Sequence, residues 1–167
     1  MNISVIKPQT KHAAAIAEIC ATGWKQTVEG KLSEEYQKRN VEFWYNHERV
    51  LNDINGGAYT HAALIESDIA GVIGGGMTSS DTSEIFLLYV DETFRYQGIG
   101  KRLLESLTRE QINQGATGQW VSVQEENQLG IPFYEARGFM YQEKRLTPTE
   151  TGEVQVSIRY ARSLLDT

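Results

Sequence analysis

The 167 residues are enough for one domain with a sizeable core and too few for two ordinary ones. Hydrophobic residues make up 40% and charged residues 23%, a globular balance that sets aside a disordered chain and a fibrous repeat together. With 16 basic and 22 acidic residues the net charge is -6, which argues against a protein that works by coating nucleic acid or an anionic membrane.

Ile3, Val5 and Ile6 form a short β-like run stopped by Pro8. Thr10 then suits the cap of a helix whose apolar stripe is Ala13, Ile16, Ala17, Cys20 and Trp24. Ser33, followed by Glu34 and Glu35, starts a second helical stretch that ends at Asn55-Gly56-Gly57, with Tyr36, Val41, Phe43, Trp44, Val50 and Leu51 as candidate buried positions. Tyr59–Glu66, Ile69–Thr78 and Ser83–Val90 read as three strands of an antiparallel meander, and Gly74-Gly75-Gly76 within the second suggests a bulge or a close strand approach. Ile99, Leu103, Leu104, Leu107 and Ile112 recur at helical spacing up to Gly115. Trp120–Val123 reads as a strand buried on both faces, Asn127–Arg137 as a short helix closed by Gly138 and Phe139, and Val154–Tyr160 as a last strand. The order is β-α-α-β-β-β-α-β-α-β-β. No repeat or linker divides the chain, so a single domain over residues 1–167 is expected.

The single cysteine precludes an internal disulfide, and MNISVIKPQTK lacks the apolar stretch and cleavage site of a signal peptide. The longest wholly apolar runs, Ala13–Ala17 and Ile85–Val90, fall far short of the roughly 20 residues that cross a bilayer. A soluble cytoplasmic chain is expected. His12, His47 and His61 are far apart with no cysteine or paired carboxylate at ligand spacing, so no metal site is indicated.

The most informative segment runs from the strand Ile85–Val90 through Arg95-Tyr96-Gln97-Gly98-Ile99-Gly100 into the following helix. A strand, a glycine turn and a helix amino terminus make an anion site, because the first amides of a helix have no internal acceptor and sit at the positive end of its dipole. Arg95, Lys101 and Arg102 fall within Thr93–Leu104, a span without an acid in an otherwise acidic chain. No Gly-Lys-Ser/Thr follows and the glycines are not in the dinucleotide order, so neither familiar nucleotide loop is present.

Arg95-x-x-Gly98-x-Gly100 with its preceding strand Glu84–Val90 resembles the acetyl-CoA site of the GNAT (GCN5-related N-acetyltransferase) superfamily. A second block, Asn127–Phe139, is similar to the family's Asn-x-x-Ala-x-x-Phe-Tyr-x-x-x-Gly-Phe segment, with Gly130 where alanine is usual and Pro132 disfavouring a helix that starts fully at Asn127. Thr22–Thr27, with Trp24, is similar to the acceptor-side segment of some members. The resemblance, to a single-domain bacterial-type member, extends from Ile3 to about Tyr160. It implies a mixed α/β fold: a mostly antiparallel central sheet flanked by helices and splayed between Ile85–Val90 and Trp120–Val123, where acetyl-CoA enters as co-substrate.

By the same resemblance, backbone groups of Gln97, Gly98, Ile99, Gly100 and Lys101, beside Arg95 and Tyr96, hold the phosphates, while Leu88, Tyr89, Val90 and Asn127 lie along pantetheine. Tyr134 takes the position that protonates or hydrogen-bonds the coenzyme sulfur. Without the motif it would read as a ring packed beside Phe133, and Asn127 as an N-cap. Glu84, placed by period two on the face of Phe86, Leu88 and Val90, matches a carboxylate that accepts the amine or relays its proton through water; the bland alternative is a solvated strand end. The implied activity is N-acetyl transfer to a primary amine of a small molecule. The competing readings are an acyl-CoA-binding regulator without catalysis and an enzyme acting on a protein N-terminus or lysine. A homodimer is ordinary for the family, and neither nucleic acid nor membrane is an expected partner.

Overall fold

The computed structural model describes residues 2–165. Strand β1 (Ile3–Ile6) leads through a 3-10 turn at Thr10–His12 into helix α1 (Ala13–Val28), followed by α2 (Glu34–Trp44) and α3 (His47–Asn55). The meander is β2 (His61–Ile65), β3 (Asp68–Met77) and β4 (Thr82–Val90); α4 (Ile99–Asn113), β5 (Gly118–Gln124), α5 (Gly130–Glu135), β6 (Met140–Pro148) and β7 (Val154–Ser163) complete the order. The strands form one sheet in the order β1-β2-β3-β4-β5-β7-β6. Every neighbouring pair is antiparallel except β4 and β5, because α4 carries the chain back to the same end of the sheet before β5 starts.

Helices lie on both faces. Ile99, Leu103, Leu104 and Leu107 bury the inner stripe of α4 against Ala63, Ile73, Ile85, Val121 and Val123. On the opposite face Ala13, Ile16 and Cys20 of α1, with Val50 and Ile54 of α3, cover Ala62, Ile69 and Val72. Truncating a fully enclosed side chain such as Leu103 to alanine costs about 2–5 kcal/mol at sites of this kind. The strands beyond β4 are held by polar side chains as well. Buried Gln119 donates to Gln111 Oε1 (2.8 Å) and Thr108 Oγ1 (3.0 Å), and Arg162 on β7 donates Nε to Gln119 Oε1 (2.9 Å). This network adds satisfied polar groups to the apolar contacts that already join α4 to β5 and β7 through Val121, Val123 and Tyr160.

Several expectations are corrected. Thr10 is not the cap of α1, which begins after the 3-10 turn, where the Gln9 amide donates to His12 Nδ1. The second helical stretch divides at Asn46, whose Oδ1 caps α3 by accepting from the Arg49 amide at 2.8 Å. Helix α2 therefore lies away from the sheet, and Phe43 and Trp44 are 58% and 42% exposed under the Arg49 guanidinium; Val50 alone of the six candidates is buried. Strand β5 alternates instead of being buried on both faces: Gln119, Val121 and Val123 are covered by α4, while Ser122 is exposed on a face that no helix caps. The short helix is α5 at Gly130–Glu135, with Asn127 Oδ1 accepting from the amides of Leu129 (3.1 Å) and Gly130 (2.9 Å) ahead of it. Pro132 then falls in the first turn, where its missing donor has no partner to lose.

The register of β4 contains the most consequential correction. Gly74 pairs with Leu87 and Gly75 with Ile85, leaving Phe86 as the extra residue of a β-bulge. Side-chain parity reverses there: Ile85 joins Leu88 and Val90 on the α4 face, while Leu87 and Tyr89 pack toward α1. Glu84 consequently does not share the face of Leu88 and Val90.

Candidate active site

Strands β4 and β5 pair only from Thr82 with Gly118 to Ile85 with Val121. Past that point they part, and the space between them is a cleft of about 1000 Å³ lined by Leu87–Val90, residues 121–124, the turn ahead of α4 and the start of α5. The β-bulge at Phe86 falls at this level, and Phe133 and Tyr134 of α5 line the cleft. The parted strands present backbone groups that the sheet does not use.

At one end the cleft meets the amino terminus of α4. Gly98, the N-cap, has φ +80°, a left-handed conformation that only glycine adopts without cost. Tyr96 reaches φ +64° in the same turn and its ring is 92% exposed. Gly98, Ile99 and Gly100 at the start of α4, whose first amides have no acceptor within the helix, line the cleft, with Lys101 exposed beside them. Arg95 is half-buried and engaged: its Nη2 donates to Gln26 Oε1 at 2.7 Å, and the Gln26 amide in turn donates to Glu92. What suits this turn to an anion is its main chain, with Arg95 tying the turn to α1.

Tyr134 is 6% exposed, set edge-on to both Phe133 and Phe139 at 5.2 Å. Burial pushes its phenol well above the ordinary tyrosine range, so the group keeps its proton. Tyr89, also lining the cleft, is raised by the same cause and shares a hydrogen bond with Tyr45. Its ring lies against α1 at Gly23, where a Cβ would stand 2.3 Å from Tyr89 Cδ1. Trp24 is buried, lines the cleft and packs at 6.1 Å against the tilted ring of Tyr36.

The structure thus brings together Trp24, Leu88, Tyr89, Val90, Arg95, Tyr96, Gly98, Ile99, Gly100, Lys101, Asn127 and Tyr134 around one cleft. Gln97 is exposed in the same turn. Glu84 is outside this lining. Its carboxylate accepts from Arg159 Nη1 (2.8 Å) and Nη2 (3.1 Å), while Arg159, 8% exposed, also bonds Ser122 and stacks 5.0 Å from the Trp120 ring. Sequence reasoning missed Arg159, Tyr45 and Gln155. No local motif marks them, because Tyr45 at the end of α2 and Gln155 and Arg159 on β7 reach this region only after folding. Among the described residues no helix is long and apolar enough to cross a membrane.

With cleft, anion turn and buried phenol in place, comparison with known proteins defines the class. The acetyltransferase (GNAT) family model matches residues 17–139, and the chain belongs to this family: it is an acetyl-CoA-dependent N-acetyltransferase. Spermidine N(1)-acetyltransferase of Thermoplasma acidophilum is 26% identical over 144 residues, covering 83% of this chain and 89% of that enzyme. The ribosomal protein bS18-alanine N-acetyltransferase of Escherichia coli K12 is 36% identical over 59 residues, 35% of this chain and 40% of that enzyme. Among solved structures, PaiA N-acetyltransferase of Thermoplasma acidophilum in complex with coenzyme A has a TM-score of 0.76 at 23% identity, covering 94% of this chain and 98% of that one.

Proposed function

We propose that the enzyme acetylates a primary amine of a small, cationic molecule. Acetyl-CoA lies with its pyrophosphate on the amides of Gln97 to Lys101 and its pantetheine between Leu88–Val90 and Asn127. The fit rests on a left-handed glycine ahead of free helix amides and on two strand edges that pair with nothing beyond Ile85 and Val121. When bound, acetyl-CoA supplies the thioester carbonyl and the sulfur leaving group. Tyr134 holds the proton that the departing sulfur needs, and the observation that carries the reading is this buried tyrosine in the lining of the cleft where β4 and β5 part.

The acceptor amine enters on the α1 side, past Trp24, Tyr45, Phe86 and Gln155. Aromatic faces and the carboxylates of Glu29 and Glu126 on the cleft rim favour a cation. Glu84, bound bidentately by Arg159, acts in this reading through water and orients rather than touches the amine.

The test is turnover of a panel of amines, amino acids, basic peptides and anionic amines with acetyl-CoA. Selective use of small cationic amines supports the reading. Selective use of an anionic acceptor overturns it, and coenzyme binding without any turnover favours a regulatory acyl-CoA-binding module. The local match to the bS18-alanine enzyme supports a protein N-terminus as the second acceptor class, and the peptide arm of the panel separates the two.

A further inference from the structure

Tyr134 sits on a helix too short to hold a side chain still by itself. Helix α5 has six residues and buries only Tyr134, and a helix of that length is marginal without tertiary support. The support comes from two arginines. Arg137 lays its guanidinium over the Phe133 ring at 3.9 Å and donates Nη1 to the Phe133 carbonyl at 2.8 Å. Gly138, at φ +89°, turns the chain so that the amides of Arg137 (3.0 Å) and Phe139 (3.1 Å) both donate to the Tyr134 carbonyl. Arg162 on β7 then stands over the Phe139 ring at 4.6 Å and donates Nη1 to the Arg137 carbonyl at 3.0 Å. Each of the two phenyl rings set edge-on to Tyr134 is thus covered by a guanidinium.

The other donors of Arg162 point away from α5. Nε donates to Gln119 Oε1 on β5 at 2.9 Å, and Nη2 donates to Thr108 Oγ1 on α4 at 3.1 Å. Gln119 donates to Gln111 Oε1 at 2.8 Å, and Gln111 Nε2 donates to the Glu84 carbonyl at 3.1 Å. Glu84 belongs to the last stretch of β4 that still pairs with β5. Glycine at position 75 leaves room for that contact, since a Cβ there would stand 2.4 Å from the Glu84 oxygen and 3.0 Å from Gln111 Nε2. One hydrogen-bonded chain therefore runs from the point where the cleft opens to the end of α5, and Arg162 is the member that meets α5. Its planar fork fixes three directions at once, which a flexible ammonium cannot do. Burial and then the Arg137 charge both work against a cation at this place, and none of the ion pairs among the described residues includes Arg162. Its contacts are those of a brace.

We infer that Arg162 is a positioning residue for acetyl transfer: through the Phe139 ring and the Arg137 carbonyl it fixes where Tyr134 presents its hydroxyl in the cleft. Arg162 is not in the cleft lining, so it acts through Tyr134. The inference deepens the proposed function and rests on the acid role given there to Tyr134.

The experiment measures single-turnover acetyl transfer from acetyl-CoA to 1,4-diaminobutane, or to the fastest acceptor of the amine panel where that diamine is not used. The wild type, Arg162→Met, Arg162→Lys and Phe139→Leu are compared, each also in a Tyr134→Phe background, with CoA affinity measured by calorimetry. Arg162→Met should slow transfer at least about tenfold while CoA affinity changes less than about twofold, because a small misplacement of the acid falls on the chemical step. Arg162→Lys keeps a donor for the Arg137 carbonyl and should recover at least about threefold of that loss. Phe139→Leu leaves the hydrogen-bonded chain whole but removes the ring between Arg162 and Tyr134; it should slow transfer at least about fivefold, and it serves if Arg162→Met does not fold. With Tyr134→Phe already in place the same changes should cost less than about twofold, whereas general loosening of the fold would slow both backgrounds alike. Full rate in folded Arg162→Met or in Phe139→Leu, or equal losses in the two backgrounds, overturns the positioning role alone. Full rate in Tyr134→Phe overturns the acid role and this inference with it, and no turnover of any amine overturns the proposed function as a whole.

Discussion

The two ends of the cleft are built on different principles. The end proposed to hold the donor is a continuous piece of chain, from β4 through Gly98 into α4, and offers main-chain groups whose direction follows from local geometry. The end proposed to take the acceptor is assembled from α1, the α1–α2 turn, α2, β5 and β7, and is walled by side chains that meet only after folding. A donor common to a family can be held by a short motif. An acceptor that differs from member to member is held by a surface that can vary without disturbing that motif.

The contrast can be broken at four positions, taken here from the largest effect to the smallest. Tyr134→Phe keeps the ring between Phe133 and Phe139 but removes the proton, so kcat should fall by roughly 10² to 10⁴ with CoA affinity nearly intact. Burial raises the phenol pKa, so the acid form persists through the ordinary range, and no descending limb from Tyr134 should appear in the pH profile of kcat below about pH 10. Full kcat in the variant under chemistry-limited conditions would remove the acid role.

Gly98→Asp attacks the donor end. The side chain forces a left-handed residue off glycine and places a negative charge where an anion binds, so CoA affinity measured by calorimetry should fall at least about tenfold, or ~1.4 kcal/mol. Unchanged affinity in a folded variant would move the phosphate site elsewhere.

Gly23→Ala couples the two ends through packing. Its methyl would overlap the Tyr89 ring, and the shift should cost about 1–3 kcal/mol in chemical denaturation while raising the amine KM. A variant as stable as the wild type would mean that α1 yields without disturbing Tyr89.

Glu84→Gln is the mildest. It weakens the pairing with Arg159 outside the cleft lining, so the amine KM should rise by less than about tenfold while CoA affinity holds. A loss of kcat as large as that of Tyr134→Phe would instead make Glu84 a direct base.

Elements with a strong period were legible in advance. The stripe of α4, the meander and the glycine turn follow from residues that are neighbours in sequence, and two family motifs ordered them into the right architecture. The misreadings have one cause. Asn46 splits the second helix because its side chain satisfies an amide three residues on, and Phe86 reverses the facing of β4 because β3 offers no partner for it. Neither event changes the hydropathy pattern from which burial was inferred.

The sequence by itself determined the family, the fold class and the place of the glycine turn ahead of α4, because helix dipole, glycine conformation and strand order are local or motif-borne. Only the tertiary structure decided that Glu84 is paired with Arg159, that Tyr89 and Tyr45 share a hydrogen bond beside Gly23, and that Ser33 meets Glu153. Those pairings join residues 44 to 120 positions apart. They depend on how β4 and β5 diverge and where the hairpin returns, distances that no local pattern encodes.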